Sequence, residues 1–500
     1  MQGTKQKDTE TLAFETHCGE LGDAPCFRLL SGEKLQRIHE ASLEVLEDVG
    51  VRFTTEAARK LLADAGCTVA DEDIVKIPRR VVEDAINSAP ERVVIYDREG
   101  EEALTLEGRN THFGLGITGI HFRDLESGER RGPRIEDVAL ACRVADALPN
   151  LDFIATPLVL EATREMPRKV VKQIEFEAML SNTTKPLMLL VDYVPILRDV
   201  LEMTAAVAGG TDALRERPFV LPYFNSVSPL TYNTDTLDNL LLLAEWGIPV
   251  ICSPAPMAGA TGPVTLAGTV TTSNAEALAG LVVSQLKRPG APFIVGSEAA
   301  ILDMRTANIA FGAPEQNTLV MAAVEMAHYY GLPVAGLGCA SDSMGVDQQA
   351  ALEQMLGAYS SILAGVHLVP FIGFLEAGLT FSLEAAVMGD EIVGMVKRIM
   401  RGMPVDDESL APDTIRAVGP GGNFLETEHT FRHYKREQWQ PTLLCRTTFD
   451  SWVQGGSKLM GERVKEKLED IIQSHRVKPL PEEVKAQMSA IIERRLHSLS

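Results

Sequence analysis

The stretch PFIVGSEAAILDMRTANIAFGAPEQNTLVMAAVEMAHYYGLPVAGLGCAS (residues 292–341) decides the fold. It opens with a short apolar run, PFIVGSE, and closes with a second, LPVAGLGCAS. Between them lies a helical segment that starts at Pro314 and carries one apolar stripe of Leu319, Val320, Ala323, Val324 and Ala327. Proline suits a first helical turn, where its missing N–H would be unpaired anyway, and Gly331 stops the helix. Runs of near-continuous Val, Ile and Leu suit strands covered on both faces, as a parallel sheet requires.

Working outward, the same strand–helix pairing recurs through residues 111–401 until eight pairs are counted. The other strands are read in THFGLGITGIHFRD (111–124, with a hairpin considered), LDFIATPLV (151–159), PLMLLVDY (186–193), PFVLPYFNS (218–226), IPVICSPA (248–255) and VHLVPFIGF (366–374). Pro218, Pro249, Pro292 and Pro333 stand at strand starts, where a lost donor does least harm. Helices are expected over 135–148, 167–180, 314–330 and 383–401, the last closing with Lys397, Arg398 and Arg401 against the helix dipole. Eight such units close a sheet on itself. The expected fold is α/β: a TIM (β/α)8 barrel with helical N-terminal and C-terminal additions, its chemistry at the carboxyl ends of the strands.

Four regions follow. Residues 1–28 read as a mobile arm. Residues 29–110 read as a helical cap, with Ser31 as N-cap, Gly50 as a stop, and further helices near 56–65 and 79–88. Residues 111–402 form the catalytic barrel, and 403–500 a helical appendage suited to self-association as a homo-oligomer.

The formal charge of −22, from 69 acidic against 47 basic residues, argues against nucleic acid or an anionic membrane as partner. Seven scattered cysteines without C-x-x-C suggest reduced thiols in the cytoplasm. No secretory signal and no apolar run of about 18 residues is evident.

Short motifs do little. Gly114-Leu115-Gly116-Ile117-Thr118-Gly119 satisfies G-x-G-x-x-G, yet it continues as strand instead of opening a helix, so the glycines are read as permitting close backbone approach. His429 and His433, four apart, lack a third ligand, and no metal is expected. The informative residues are those that follow strands: Asp192 and Tyr193, then Tyr223, Asn225 and Ser228, then Glu298, then Cys339, Ser341 and Asp342, then Phe374 and Glu376. Carboxylates, phenols and an aromatic face on one rim suit an organic cation. For each residue alone, loop polarity or helix capping is the competing reading. Arg305, in a long stretch read as structureless, offers a planar fork for a substrate carboxylate or simply pairs with Asp303.

The segments GLPVAGLGCASDSMGVDQQAALEQ (331–354) and FIGFLEAGLTFSLEAAVMGDEIVGMVKRIMRG (371–402) closely resemble the trimethylamine:corrinoid methyltransferase family. HEASLEVLEDVGVRF (39–53) and FLETEHTFRHYKREQWQP (424–441) extend the resemblance over most of the chain. It implies a TIM barrel that moves a methyl group from a methylated amine to the Co(I) corrinoid (cobalamin) of a separate small protein, with no cofactor tightly held by this chain. Archaeal trimethylamine enzymes of the family carry pyrrolysine, which this sequence lacks; the corresponding position falls around 339–348. Members without it resemble enzymes for quaternary amines such as glycine betaine, proline betaine and carnitine. A quaternary nitrogen leaves as a neutral amine and needs no acid in that step, so the site must supply position, cation stabilisation and dryness. Tyr193, Tyr223 and Phe374 are the candidates for the methylammonium face, Glu298, Asp342 and Glu376 for the countercharge, and Asn225 and Arg305 for the carboxylate end. A tertiary-amine methyltransferase and a non-catalytic betaine-binding module are the alternatives.

Overall fold

In a computed structural model, which describes residues 25–163, 166–191 and 193–498, eight parallel strands close into a barrel. In chain order they are β1 (His112–Leu115), β2 (Phe153–Ala155), β3 (Leu187–Leu190), β4 (Val220–Phe224), β5 (Val250–Cys252), β6 (Phe293–Ser297), β7 (Val334–Gly336) and β8 (Leu368–Ile372). Each strand pairs with its sequence neighbours, and β8 returns to β1 through Leu368–His112 and Val369–Phe113. The connecting helices are α1 (Ile135–Ala147), α2 (Val171–Ser181), α3 (Val194–Ala208), α4 (Thr234–Trp246), α5 (Leu266–Lys287), α6 (Pro314–Tyr329), α7 (Gln348–Ala364) and α8 (Leu383–Met400). The sequence placed α1, α6 and α8 to within a residue, because each carries its own stop: Pro149 after α1, Gly331 after α6 and Gly402 after α8.

Two sequence expectations are corrected. Only His112–Leu115 of the 111–124 stretch enters the barrel; His121–Arg123 turns away, pairs in parallel with Thr380–Phe381 and forms a hairpin with Arg130–Arg131. The segment between β6 and α6 is not structureless. It folds into a hairpin of Ala300–Asp303 and Asn308–Ile309, with Met257–Ala258 alongside.

The glycines of 114–119 serve close approach, as expected. A Cβ on Gly114 would lie 2.3 Å from the Phe153 ring, and Gly116 has φ +89° with Ala155 O at 2.9 Å from its Cβ position. Opposite them, β8 bulges: the register shifts between Val369 and Ile372, and Phe371 adopts φ +81°. Phe371 N–H bonds Gly116 O, while Gly116 N–H bonds Ile372 O, so the irregular strand keeps its backbone paired.

Helices at Gly32–Glu44, Glu56–Asp64 and Arg79–Ser88 pack on the long, almost wholly buried α5. A small sheet there joins Val51–Phe53 to Thr231–Tyr232, which follows β4. At the other end of the chain, Met460–Ser474 lies on α8 and α1, and Glu482–His497 lies on α3. The second of these is clamped by the buried Asp199, which accepts from Arg494 at 3.1 Å, Arg495 at 2.6 Å and Gln173 at 2.8 Å. The putting of residues 1–28 into a mobile arm falls, up to residue 24, outside the described residues. Among the described residues, no helix is long and apolar enough to cross a membrane.

Candidate active site at the barrel mouth

Three neighbouring strands build one side of the mouth. Tyr223 lies in β4, where it pairs in register with Ile251 of β5, and Ile251 pairs with Ile294 of β6. Glu298 is the first residue past β6, and Asn225 the first past β4. The Tyr223 hydroxyl donates to Glu298 Oε1 in a short hydrogen bond. The Asn225 amide spans Tyr223 Oη at 3.0 Å, Glu298 Oε2 at 3.1 Å and the Ser253 carbonyl, past β5, at 2.7 Å. Backbones run close here: a Cβ on Gly296 would lie 2.4 Å from Ser253 Cβ.

The electrostatics of this group are unusual. Glu298 keeps some contact with the mouth, yet its hydrogen-bond partners, Tyr223 and Asn225, are both neutral. Burial raises its carboxyl to about 7, although the bonds from Tyr223 and Asn225 pull the other way. Burial, reinforced by the Glu298 charge, pushes the Tyr223 phenol well above its usual range, so it stays a donor. A half-enclosed carboxylate with neutral donors and no cation among those partners has the chemistry to take a cationic ligand.

The remaining candidates are placed elsewhere or do other work. Asp342 accepts from Phe311 N–H at 2.9 Å, and burial raises its carboxyl, aided by nearby Glu353. Glu353 in turn accepts from Ser341 Oγ at 2.6 Å and Asp342 N–H at 2.8 Å, and a Cβ on Gly312 would strike its carboxylate. Asp342 thus fastens the loop after β6 to the loop after β7. Glu376, with φ +54°, is already paired with Arg130 and accepts from Thr380 Oγ1 at 2.6 Å. Burial would raise its carboxyl, but those bonds outweigh it and hold it below the usual range. Its charge is therefore spoken for.

Phe374 offers no open ring face: it is fully buried, 5.9 Å from Phe371 and 5.4 Å from Phe381 between ring centroids. Arg305 sits at the exposed tip of the new hairpin, 3.2 Å from Asp303, which is the pairing weighed against its substrate role. Tyr193 is exposed beside α3. Asp192 lies outside the described residues. Cys339 is buried with φ +70°, and burial drives its thiol far up, which leaves it no thiolate character. Away from the mouth, His429 and His433 stack at 4.5 Å, with His433 3.2 Å from Glu408, and no group of three metal-ligating side chains exists among the described residues.

Sequence reading missed Arg130, Glu353 and Glu276. The last left a signal: it is a lone acid in the apolar run NAEALAGLVV of α5.

The sequence matches the model of the family "Trimethylamine methyltransferase (MTTB)" over residues 3–500. It is 35% identical over 464 residues to a trimethylamine methyltransferase of Desulfitobacterium hafniense (strain DSM 10664 / DCB-2), covering 93% of both chains. It is 32% identical over 472 residues to a glycine betaine methyltransferase of D. hafniense (strain Y51), covering 94% of this chain and 98% of that one. In fold it resembles the monomethylamine methyltransferase of Methanosarcina barkeri, with a TM-score of 0.51 and 13% identity over 91% of this chain and 92% of that one.

Proposed function

The chain belongs to the trimethylamine methyltransferase family and is a methyltransferase, and from that premise we propose that it demethylates a quaternary amine, glycine betaine first among the candidates, delivering the methyl group to the Co(I) corrinoid of a separate small protein. The observation that carries this reading is Glu298: a carboxylate at the strand-end rim whose hydrogen-bond partners are neutral. A trimethylammonium group has no N–H to donate. It is held by a countercharge and by close packing, and a carboxylate already oriented by Tyr223 and Asn225 supplies the first without reorganising.

The partner's corrinoid supplies the nucleophile that takes the methyl group. The chain's share is to fix the C–N bond toward the opening and to keep water out. The substrate nitrogen departs neutral, so Tyr223 and Glu298 are not asked for a proton; their hydrogen bond persists through the step. Exposed side chains on the rim support docking of the partner protein there. Loops after six of the strands each present an exposed apolar side chain: Ile120, Val227, Val264, Met304, Met344 and Leu379. Isolated exposed apolar residues are ordinary, but one per loop around one opening marks an interaction surface.

A tertiary-amine reading draws support from the 35% identical relative's name. It differs in one requirement: a neutral tertiary nitrogen must first acquire charge, and Glu298, near 7, is the group placed to hold that proton. The test is a panel of amines offered to the chain with its corrinoid protein under reducing conditions, with corrinoid methylation followed by absorbance. Turnover of glycine betaine, proline betaine or carnitine but not trimethylamine supports the quaternary reading. Turnover of trimethylamine alone favours the second. Saturable betaine binding without corrinoid methylation would leave a binding module and overturn both.

A further inference from the structure

Glu276 lies at the middle of α5, wholly buried and outside the group at the mouth. Its Oε2 accepts from Ser228 Oγ at 2.8 Å and, in a short bond, from Ser226 Oγ; its Oε1 accepts from Leu230 N–H at 2.9 Å. Its backbone carbonyl accepts from Tyr232 Oη at 2.7 Å. One helical residue therefore grips both ends of the segment 226–232, the segment that begins at the peptide bond after Asn225. All of its bonded partners are neutral. A buried carboxylate with only neutral donors is costly, and packing alone would be better served by Leu or Met.

We propose that Glu276 is a positioning residue: by holding Ser226, Ser228 and Leu230 it sets the backbone from which Asn225 reaches Tyr223, Ser253 and Glu298. Other restraints on this segment come from the cap, from within the loop, from α4 and from β5, where Tyr232 Oη meets Cys252 Sγ at 3.1 Å. Arg52 N–H bonds Leu230 O at 2.9 Å, Val227 N–H bonds Thr231 O at 2.7 Å, and Thr236 Oγ1 bonds Asn225 O at 3.2 Å. None of them anchors Ser226 to the helix behind it. Without Glu276 the stretch just after Asn225 loses its tie to α5 at Ser226, Ser228 and Leu230, and displacements near 1 Å at a reacting centre can cost about a hundredfold in rate. Glu276 itself touches neither the Glu298 group nor a ligand; it acts through Asn225.

The inference rests on the reading of the mouth as a cation site, so its test carries one readout that needs no substrate. Difference infrared spectra taken over a pH series give the protonation midpoint of Glu298, assigned as the carboxyl band that Glu298→Gln removes. In Glu276→Ala the midpoint should rise, because Asn225 no longer donates squarely to Glu298, and kcat/KM for the quaternary amine should fall about thirtyfold or more. Glu276→Gln should restore most of both, since its oxygen can accept from Leu230 while its amide donates to the rotatable hydroxyls. Ser228→Ala, a milder change, should move both readouts the same way by less, and it serves if Glu276→Ala does not fold. An unmoved Glu298 midpoint in a folded Glu276→Ala or Ser228→Ala protein overturns the inference. A shifted midpoint in a protein that turns over no quaternary amine upholds the positioning role while removing the proposed function.

Discussion

Replacing Glu298 with Gln separates charge from shape at the mouth, because the amide keeps the volume and one acceptor oxygen. A quaternary nitrogen cannot approach a carboxylate closer than its methyl groups permit. At roughly 5 Å and an effective dielectric near 20, the attraction is about 3 kcal/mol. That corresponds to about a hundredfold in Kd. The effect depends on pH. With the carboxyl raised to about 7, the wild-type site is mostly neutral at a pH one unit lower and mostly charged at one unit higher. Binding of a betaine or of tetramethylammonium should therefore tighten about tenfold from pH about 6 to pH about 8 in the wild type and stay flat in the variant. The apo protein should respond in the opposite sense. A carboxyl whose folded midpoint lies above its unfolded value of 4.5 favours the folded state at acid pH, and that advantage is lost as pH rises toward 7. Glu298→Gln should thus raise stability by up to about 3 kcal/mol at pH about 8, relative to the wild type, and change it little near pH 4. Isothermal titration calorimetry across pH and denaturant melts at the two extremes check both halves. A variant that binds the cation as tightly as the wild type at pH about 8, or whose stability gain is the same at every pH, refutes the argument.

Three further outcomes follow from other contacts. Tyr223→Phe removes the donor that holds Glu298 Oε1, so the midpoint of the pH dependence of binding should move upward; calorimetry over the same pH series reads it, and a downward move would contradict the direction. Met304→Asp and Met344→Asp place charge on the apolar rim and should slow methylation of the partner's corrinoid about tenfold or more while leaving amine affinity within about twofold, which separates docking from substrate binding. Asp199→Ala strips the clamp on Glu482–His497 and should loosen that helix by about 1–3 kcal/mol; hydrogen exchange should rise over 482–497 with the barrel strands still protected.

Much of the architecture was legible because it is written in local signals. Eight apolar runs, four of them with Pro218, Pro249, Pro292 or Pro333 at the start, and helices ended by Gly331 and Gly402 fix the count and the order of the units. From the count came closure, and from closure the end at which to look. Tyr223, Asn225 and Glu298 were then found by strand-end position alone, and the structure brings all three together. What position could not give was direction. Phe374 lies two residues past β8, which bulges at Phe371, and pairs in a short hairpin with Phe381; its ring went inward, between two others. Glu376 and Asp342 are at the expected height, but partners distant in sequence engage them: Arg130 pairs with the charge of Glu376, and the Phe311 N–H ties Asp342 to a neighbouring loop. The hairpin over 300–309 was hidden because its strands are only four and two residues long, too short for a period-2 pattern to show. Glu276 was visible as a lone acid in an apolar helix, yet which loop it grips is set by the packing of α5 against β6 and between α4 and α6.

On the proposed function, a quaternary methylammonium set against Glu298 gives one methyl carbon to a partner's corrinoid. The most direct measurement supplies glycine betaine labelled with ¹³C in its methyl groups to the chain and its reduced corrinoid protein, and follows the label by NMR. Labelled methyl should appear on the corrinoid with an equal amount of dimethylglycine, and at subsaturating betaine both should form about a hundredfold more slowly with Glu298→Gln at pH about 8. Dimethylglycine without label on the corrinoid, or transfer by Glu298→Gln at the wild-type rate, would contradict the proposal.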